Sequence, residues 1–394
     1  MYRKILVIKL RHIGDVLLAT PVFKTLKENF PSSHITALVN KGTEAVLENN
    51  PHIDEILTYD RDIKKLPPFK RYKEELKFLR KIRNLGFDTT IELTGGDRSA
   101  LISFFSGAKK RFGIKAKGFL GKKFLYTKTF SFDGAKHIVL QNLEILEKMG
   151  LKIKKPKIIL HVSEEEKNWA EKLILPSGRK LNEKIVHIHS TSRWSFKCWK
   201  DEYMAKVIKW LLNNGCRVIL TSSKEDRELE KIKAILSYID PKWVCHLSVN
   251  SGHFKENSVT SQIYPLINLA GKITLRQLIA ISSISDMYFG IDTAPMHIAA
   301  ALGKPVVALF GPSGAFHWGP WDNEVCENPY SKRKGIQKFG KNIVIQRDWK
   351  CIPCGQAGCE GSKISKCLFD IKPEEVIAIL SSILIFDKES EIKN

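Results

Sequence analysis

SDMYFGIDTAPMHIAAALGKPVVALFG, residues 285–311, divides into a short strand (Met287 to Ile291), a helix (about Ala294 to Leu302) and a second strand (Pro305 to Phe310). Asp292 and Thr293, at the first joint, are residue types that cap helix N-termini. Pro295 falls near the first turn, where a missing N–H costs nothing. A helix start that faces a strand end offers N–H groups and a partial positive charge, which suits a phosphate. His297 lies about one turn in, on the face looking back toward the same mouth. Ala299 to Ala301 let the helix lie close on a sheet, and Gly303 ends it. By pattern alone the stretch is equally an ordinary capped βαβ unit.

Upstream, the second half of the chain repeats this alternation. Strand Ile185 to Ile188 leads to helix Asp201 to Asn213, ended by Gly215, then to strand Arg217 to Leu220 and helix Glu225 to Ile235. After the first of these strands comes HIHSTSRWSFKCW, His187 to Trp199, where Thr191 and Ser192 supply hydroxyls and Lys197 a mobile point charge. In TSSKEDREL, Thr221 to Leu229, an acid suits a ribose hydroxyl at that place in a nucleotide-binding sheet. Glu225 is chosen over Asp226, with a helix-opening acid as the alternative.

The first half opens on strand Lys4 to Lys9, the loop RHIGD and a helix from about Val16 to Asn29 with Pro21 near its first turns. Strands His34 to Val39, Asp54 to Thr58, Thr89 to Leu93 and Arg111 to Gly113 follow. They are spaced by helices Tyr72 to Leu85 and Arg98 to Phe105, and His137 to Met149 closes the set. This is a doubly wound α/β pattern. Asp15 sits at the carboxyl end of the first strand, where such sheets hold ligands, and is either a helix N-cap or a working carboxylate. From Pro156 to Pro176 a short strand and an acid-rich helix (Glu164 to Leu175) are expected, with a domain linker near Pro176 to Lys184. A chain of 394 residues fits two domains.

No apolar run reaches the roughly 20 residues that span a bilayer. MYRKILVIKL runs into Arg11 and His12 without a small-residue cleavage site, so a secretory signal is not expected. The formal net charge of +22 asks for a polyanionic partner or an anionic surface, unless it is spread over solvated faces. Between Lys109 and Lys128 eight basic residues occur without one acid, interleaved with Phe112, Phe119, Leu120, Phe124, Leu125 and Tyr126. That mixture suits a membrane surface bearing phosphorylated lipid, and equally nucleic acid.

GIDTAPMHIAAALGKPVVALFG and ILVIKLRHIGDVLLATPVFKTLKENFP together resemble the signature segments of glycosyltransferase family 9, the ADP-heptose:lipopolysaccharide heptosyltransferases. The resemblance implies a GT-B fold: two doubly wound Rossmann-like α/β domains facing across a cleft, residues 1–176 for the acceptor and 185–372 for the nucleotide sugar. A C-terminal helix and tail, 373–394, would pack back on the junction. It implies Asp15 as general base and Thr191, Ser192, Lys197, Asp292, Thr293, Ala294 and His297 around the donor, with Glu225 added for the ribose. The donor is then an ADP-heptose and the acceptor the lipopolysaccharide core, reached at the cytoplasmic face of the inner membrane by peripheral contact with anionic lipid. No cofactor, metal or nucleic acid is expected, and the chain is read as having no Asp-x-Asp pair near a strand end of the kind that metal-dependent sugar transferases use. The chain departs from the family pattern at Arg61 to Lys73, Ser248 to Gln262 and Ser331 to Lys341.

Cys351, Cys354, Cys359 and Cys367 cluster in a spacing that could hold zinc or remain as reduced thiols. The CxPCG and later cysteines also resemble the heptosyltransferase III-like subgroup. Two other readings stay open: a transferase or epimerase using a UDP-sugar, and a basic nucleic-acid-binding module on a Rossmann-like scaffold. The last leaves Asp15, Lys197 and His297 without a joint role.

Overall fold

The computed structural model describes residues 2–394 except 116–117, 119–120, 177, 180–181, 248, 250–263, 328 and 391–394, and side chains of the last helix to 384. The polar loop Ser248 to Gln262, with the exception of Val249, lies outside the described residues. So do Lys117, Phe119 and Leu120 of the basic run and part of the expected linker.

The chain forms two compact units, Met1–His161 and Val162–Asn394. In the first, six parallel strands run β1 (Lys4–Lys9), β2 (His34–Asn40), β3 (Glu55–Tyr59), β4 (Thr89–Glu92), β5 (Lys110–Ile114) and β6 (Lys128–Phe130). Their order in the sheet is β3-β2-β1-β4-β5-β6. Helices α1 (Ile13–Leu17), α2 (Thr20–Asn29), α3 (Pro68–Asn84), α4 (Asp97–Phe105) and α5 (Ile138–Lys148) connect them. Ile5 to Ile8 are wholly buried, because a central parallel strand is covered on both faces. The chain moves outward from β1 to β3 and returns to β4, so the strand order reverses between β1 and β4. The carboxyl ends beside such a switch point are where open α/β sheets bind ligands.

The first helix is two helices. Pro21 has no N–H to give the Leu17 carbonyl, which instead accepts from the Thr20 hydroxyl at 2.8 Å, so α1 ends and α2 restarts. The short strand expected after Pro156 is absent from both sheets. Residues 151–163 run without a ladder, and the Ile159 N–H goes to the Thr20 hydroxyl at 2.9 Å.

The second unit holds α6 (Glu164–Ile174), β7 (Ile185–His189), α7 (Asp201–Asn213), β8 (Arg217–Thr221), α8 (Asp226–Leu236), β9 (Val244–His246), β10 (Leu266–Asn268) and α9 (Leu275–Ile284). It continues with β11 (Met287–Ile291), α10 (Ala294–Ala301), β12 (Val306–Phe310), α11 (Ala315–Trp318), β13 (Gln337–Phe339), β14 (Asn342–Gln346), α12 (Lys366–Asp370) and α13 (Pro373–Ser390). The sheet order is β13-β14-β12-β11-β7-β8-β10-β9, parallel except for the β13–β14 pair. Its order reverses between β7 and β11, whose ends carry Thr191 and Asp292.

The units divide at His161, ahead of the linker expected near Pro176 to Lys184. Helix α6 buries Trp169, Leu173 and Ile174 against Ile185, Ile219 and Ile281, and Glu166 accepts from Arg276 at 2.7 Å, which ties it to the second sheet. Helix α13, expected to return to the junction, buries Val376, Leu380 and Leu384 with Met204, Val207 and Leu211 of α7 in the core of the second unit. Among the described residues no helix is long and apolar enough to cross a membrane.

Candidate active site

At the switch point of the second sheet, β11 ends at Ile291 and the next residue turns its carboxylate sideways. Asp292 is 6% exposed, and its Oδ2 lies 2.6 Å from the Lys197 Nζ and accepts from the Ser313 hydroxyl. Burial alone would raise its pKa. The Lys197 charge and hydrogen bond, the Ser313 hydroxyl and the nearby His297 overcome it, and the carboxyl is held below the ordinary range. Lys197 comes from the 3-10 turn Ser195–Lys197. Trp199, buried just after it, donates from Nε1 to the Ile371 carbonyl at 3.1 Å. The Ser365 hydroxyl donates to the Phe196 carbonyl at 2.6 Å, so the C-terminal tail braces the lysine turn.

The capping expectation needs correction. Thr293 occupies the N-cap position of α10 but makes no side-chain cap, and its hydroxyl donates to the Ile291 carbonyl at 3.2 Å. Asp292 is drawn to Lys197 instead, because a buried carboxylate gains more from a cation than from one backbone N–H. Ala294 begins the helix, Pro295 follows it, and His297 is buried one turn in. Gly290 has no room for a side chain: a Cβ there would stand 2.5 Å from both the His189 carbonyl and the Tyr288 hydroxyl.

Thr191 is fully buried, and its hydroxyl donates to Glu228 Oε2 at 2.7 Å rather than facing the mouth. Ser192 is half-buried and accepts from the Trp194 N–H at 3.1 Å. The Arg193 guanidinium lies over the Trp194 ring at 5.3 Å. Glu225 is exposed at the N-cap position of α8, with no side-chain cap. Beneath this rim His187 and His189 both meet the Thr221 hydroxyl, at 2.8 and 2.9 Å. Burial depresses them to about 3 and about 4, so both are neutral. The same hydroxyl also reaches the Ile188 carbonyl at 3.4 Å.

In the first unit, Asp15 is the third residue of α1, whose N-cap position is His12, so Asp15 is not the N-cap. It is half-buried in the first turn. Below it Lys9 is 4% exposed and donates to the Leu93 carbonyl at 3.0 Å and to Asn142 Oδ1 at 2.9 Å. Burial lowers Lys9 to about 8, with Asp15 and Glu92 pulling the other way. Arg11 donates to the Thr94 carbonyl at 2.7 Å. Glu92, fully buried, accepts from the N–H groups of Thr94 and Gly95 at 2.6 and 2.9 Å and from the Tyr126 hydroxyl at 3.0 Å. The β1 and β4 ends are thus fixed to each other around Asp15.

The sequence does hold an Asp-x-Asp at a strand end, contrary to expectation: β3 stops at Tyr59 and Asp60–Arg61–Asp62 follows. Its carboxylates are committed to lysines, Asp60 to Lys41 at 2.9 Å and Asp62 to Lys65 at 2.8 Å. All eight cysteines are free thiols. Cys367 is buried and pushed up to about 11 by burial and by Cys359, Cys354 and Cys351 nearby. Among the described residues no three His, Cys, Asp or Glu side chains converge as a metal site.

Sequence reasoning missed Glu228, Ser313 and the bracing tail. Glu228 looked like any helix-opening acid. Ser313 lies in Gly311-Pro312-Ser313, directly after β12, and its position at a strand end was the available signal.

A model of glycosyltransferase family 9 (heptosyltransferase) matches residues 75–342. The chain is similar to lipopolysaccharide heptosyltransferase 3 of Escherichia coli K12, 29% identical over 81% of this chain and 85% of the relative. It superposes on the family 9 glycosyltransferase of Veillonella parvula with a TM-score of 0.73, 21% identity and coverage of 98% and 97%. The E. coli ADP-heptose LPS heptosyltransferase II gives a TM-score of 0.71, 21% identity and coverage of 98% and 99%.

Proposed function

The chain belongs to glycosyltransferase family 9, the heptosyltransferases, and we propose that it moves heptose from ADP-L-glycero-D-manno-heptose to the inner core of lipopolysaccharide, inverting the anomeric centre without a metal ion. The observation that carries this reading is the Lys197–Asp292 pair at the switch point of the second sheet. With its carboxylate buried and its lysine partly open to water, and brought together from 95 residues apart, it sets a cation where a diphosphate would lie against the start of α10.

In this mechanism Asp15 takes the proton of an acceptor hydroxyl as its oxygen bonds to the anomeric carbon. The bond from that carbon to the diphosphate breaks, and ADP leaves with the electron pair. A positioned carboxylate base contributes about 10²–10⁴-fold. Lys197 and the N–H groups at Thr293 and Ala294 stabilise the charge that accumulates on the leaving group. Asp292 and Ser313 aim the lysine, and His297 closes the sugar side. Ser192 bonds a phosphate oxygen, Thr191 orders that loop through Glu228, and Glu225 takes the ribose hydroxyls. The enzyme works at the cytoplasmic face of the inner membrane, in contact with anionic lipid that carries its acceptor.

The test is ADP release from ADP-heptose and heptose-deficient core lipopolysaccharide in EDTA, for wild type and Asp15→Ala. Acceptor-dependent release that disappears in the variant supports the reading. Release only with added divalent metal, or only from a UDP-sugar, contradicts it.

A further inference from the structure

Helix α3 carries more apolar surface than its packing covers. At 100° per residue, Phe78, Leu79 and Ile82 point inward and pack with Tyr59 and Phe87. Toward the N-terminus of the helix the same apolar arc runs on through Phe69, Tyr72 and Leu76, spaced three and four apart, which are 83%, 68% and 53% exposed. Neighbouring elements add further exposed apolar side chains. Leu101, Phe104 and Phe105 of α4, which packs on α3, are exposed, as is Phe124 in the 3-10 turn Lys122–Leu125 beside α4.

The frame around these side chains is basic. Lys70, Arg71, Lys73, Lys77 and Arg80 are exposed on α3. Arg111 lies over the Phe104 ring at 5.5 Å and Lys123 over Phe124 at 5.1 Å. Of the acids on these two helices, Glu75 accepts from the Tyr59 hydroxyl at 2.8 Å and pairs with Arg98 at 2.9 Å, Asp97 is 3.4 Å from Lys122, and half-buried Glu74 is outnumbered by the exposed cations of α3.

We propose that the α3–α4 face, led by Phe69, Tyr72 and Leu76 and framed by Lys70, Lys73, Lys77 and Arg80, is the surface by which this protein docks on an anionic lipid bilayer. Exposed aromatics enter the boundary between headgroups and acyl chains, while the cations meet lipid phosphates and the long lysine and arginine stems lie flat on the surface. Charge complementarity selects the occupant: an apolar stripe in an acid-poor basic frame fits a negatively charged lipid surface and repels a second copy of the same face. This inference rests on the proposed action on a lipid-borne acceptor, and it names the surface that brings the enzyme there.

The experiment is co-sedimentation of the full chain with phosphatidylcholine vesicles, with and without phosphatidylglycerol. Wild type is compared with Phe69→Ser/Tyr72→Ser/Leu76→Ser and, as a control on the second unit, Tyr238→Ser. Transfer to a delipidated, water-soluble core oligosaccharide and the thermal melt are measured alongside. Wild type and Tyr238→Ser should bind the anionic vesicles and not the neutral ones. The triple variant should bind at least tenfold more weakly, with melt and soluble transfer unchanged. Equal binding by the triple variant, or none by wild type, overturns the proposal and leaves the transferase reading standing. Vesicle binding lost in the triple variant but no transfer to any acceptor supports the surface and overturns the transferase reading. If double-stranded DNA binds through the same three residues while vesicles do not, or if the substitutions dissolve a wild-type dimer with no vesicle binding, the surface belongs to another partner and the proposal fails.

Discussion

The Lys197 ammonium stands 2.6 Å from the Asp292 carboxylate, at the switch point of the second sheet where the ends of β7 and β11 lie side by side. Neither residue's neighbours in sequence foretell the other. The parallel register of β7 on β11, with His189 opposite Gly290, brings them together.

Asp292→Asn leaves the lysine without its counter-charge. A fully buried pair broken from one side loses roughly 3–5 kcal/mol, and Lys197 retains some contact with water, so the expected loss is about 2 kcal/mol. Urea denaturation at pH 7 measures it. Because the folded Asp292 pKa is depressed, this contribution is present above the ordinary carboxylate value of 3.8 and fades as pH falls through the folded value. A loss under about 0.5 kcal/mol, in the range of exposed ion pairs, contradicts the assignment.

Asp15→Asn separates two roles. As a helix N-cap, Asp15 would cost about 1 kcal/mol on removal. At the third position of α1, without a capping bond, it should change stability by less than about 0.5 kcal/mol. The turnover of a general base should fall about 10²–10⁴-fold, with ADP affinity unchanged. Stability loss with intact turnover would return Asp15 to a structural role.

Gly290→Ala places a methyl group 2.5 Å from the His189 carbonyl and the Tyr288 hydroxyl. The strand must shift, at a cost of about 1–3 kcal/mol. Thermal unfolding should report the loss, and donor affinity should fall with it, since β11 leads directly into Asp292. An unchanged melting temperature would mean that this strand end is looser than described.

His187 and His189, held neutral with depressed pKa values of about 3 and about 4, make the second unit acid-sensitive. In the unfolded chain both bind protons below about 6.5, so stability is full above that pH and declines as pH falls toward the folded values. Each should cost about 2 kcal/mol between pH 7 and 5. His187→Gln should flatten the decline in a pH series of denaturation midpoints, and an unaltered slope would contradict the assignment.

The alternation of strand and helix was legible from the sequence because buried parallel strands read as unbroken apolar runs, as Val306–Phe310 does. Asp201–Asn213 was placed to the residue by its following Gly215, whose φ of 76° ends the helix. Contacts between distant segments were not legible. Nothing local in Glu164–Ile174 says that its apolar face belongs to the second sheet, which is why the unit boundary was set too late. Likewise nothing in Thr191 announces a buried Glu228 as its partner. The apolar residues of α3 were hidden by its lysines, which lower the mean hydropathy of any window that contains Phe69 and Tyr72.

The central claim is that Lys197, aimed by Asp292, binds the diphosphate of the donor. Calorimetric titration of ADP and AMP into wild type and Lys197→Ala tests it most directly. Wild type should bind ADP at least tenfold more tightly than AMP, and the variant should lose that preference while keeping its AMP affinity. A variant that still prefers ADP by the wild-type margin would contradict the account.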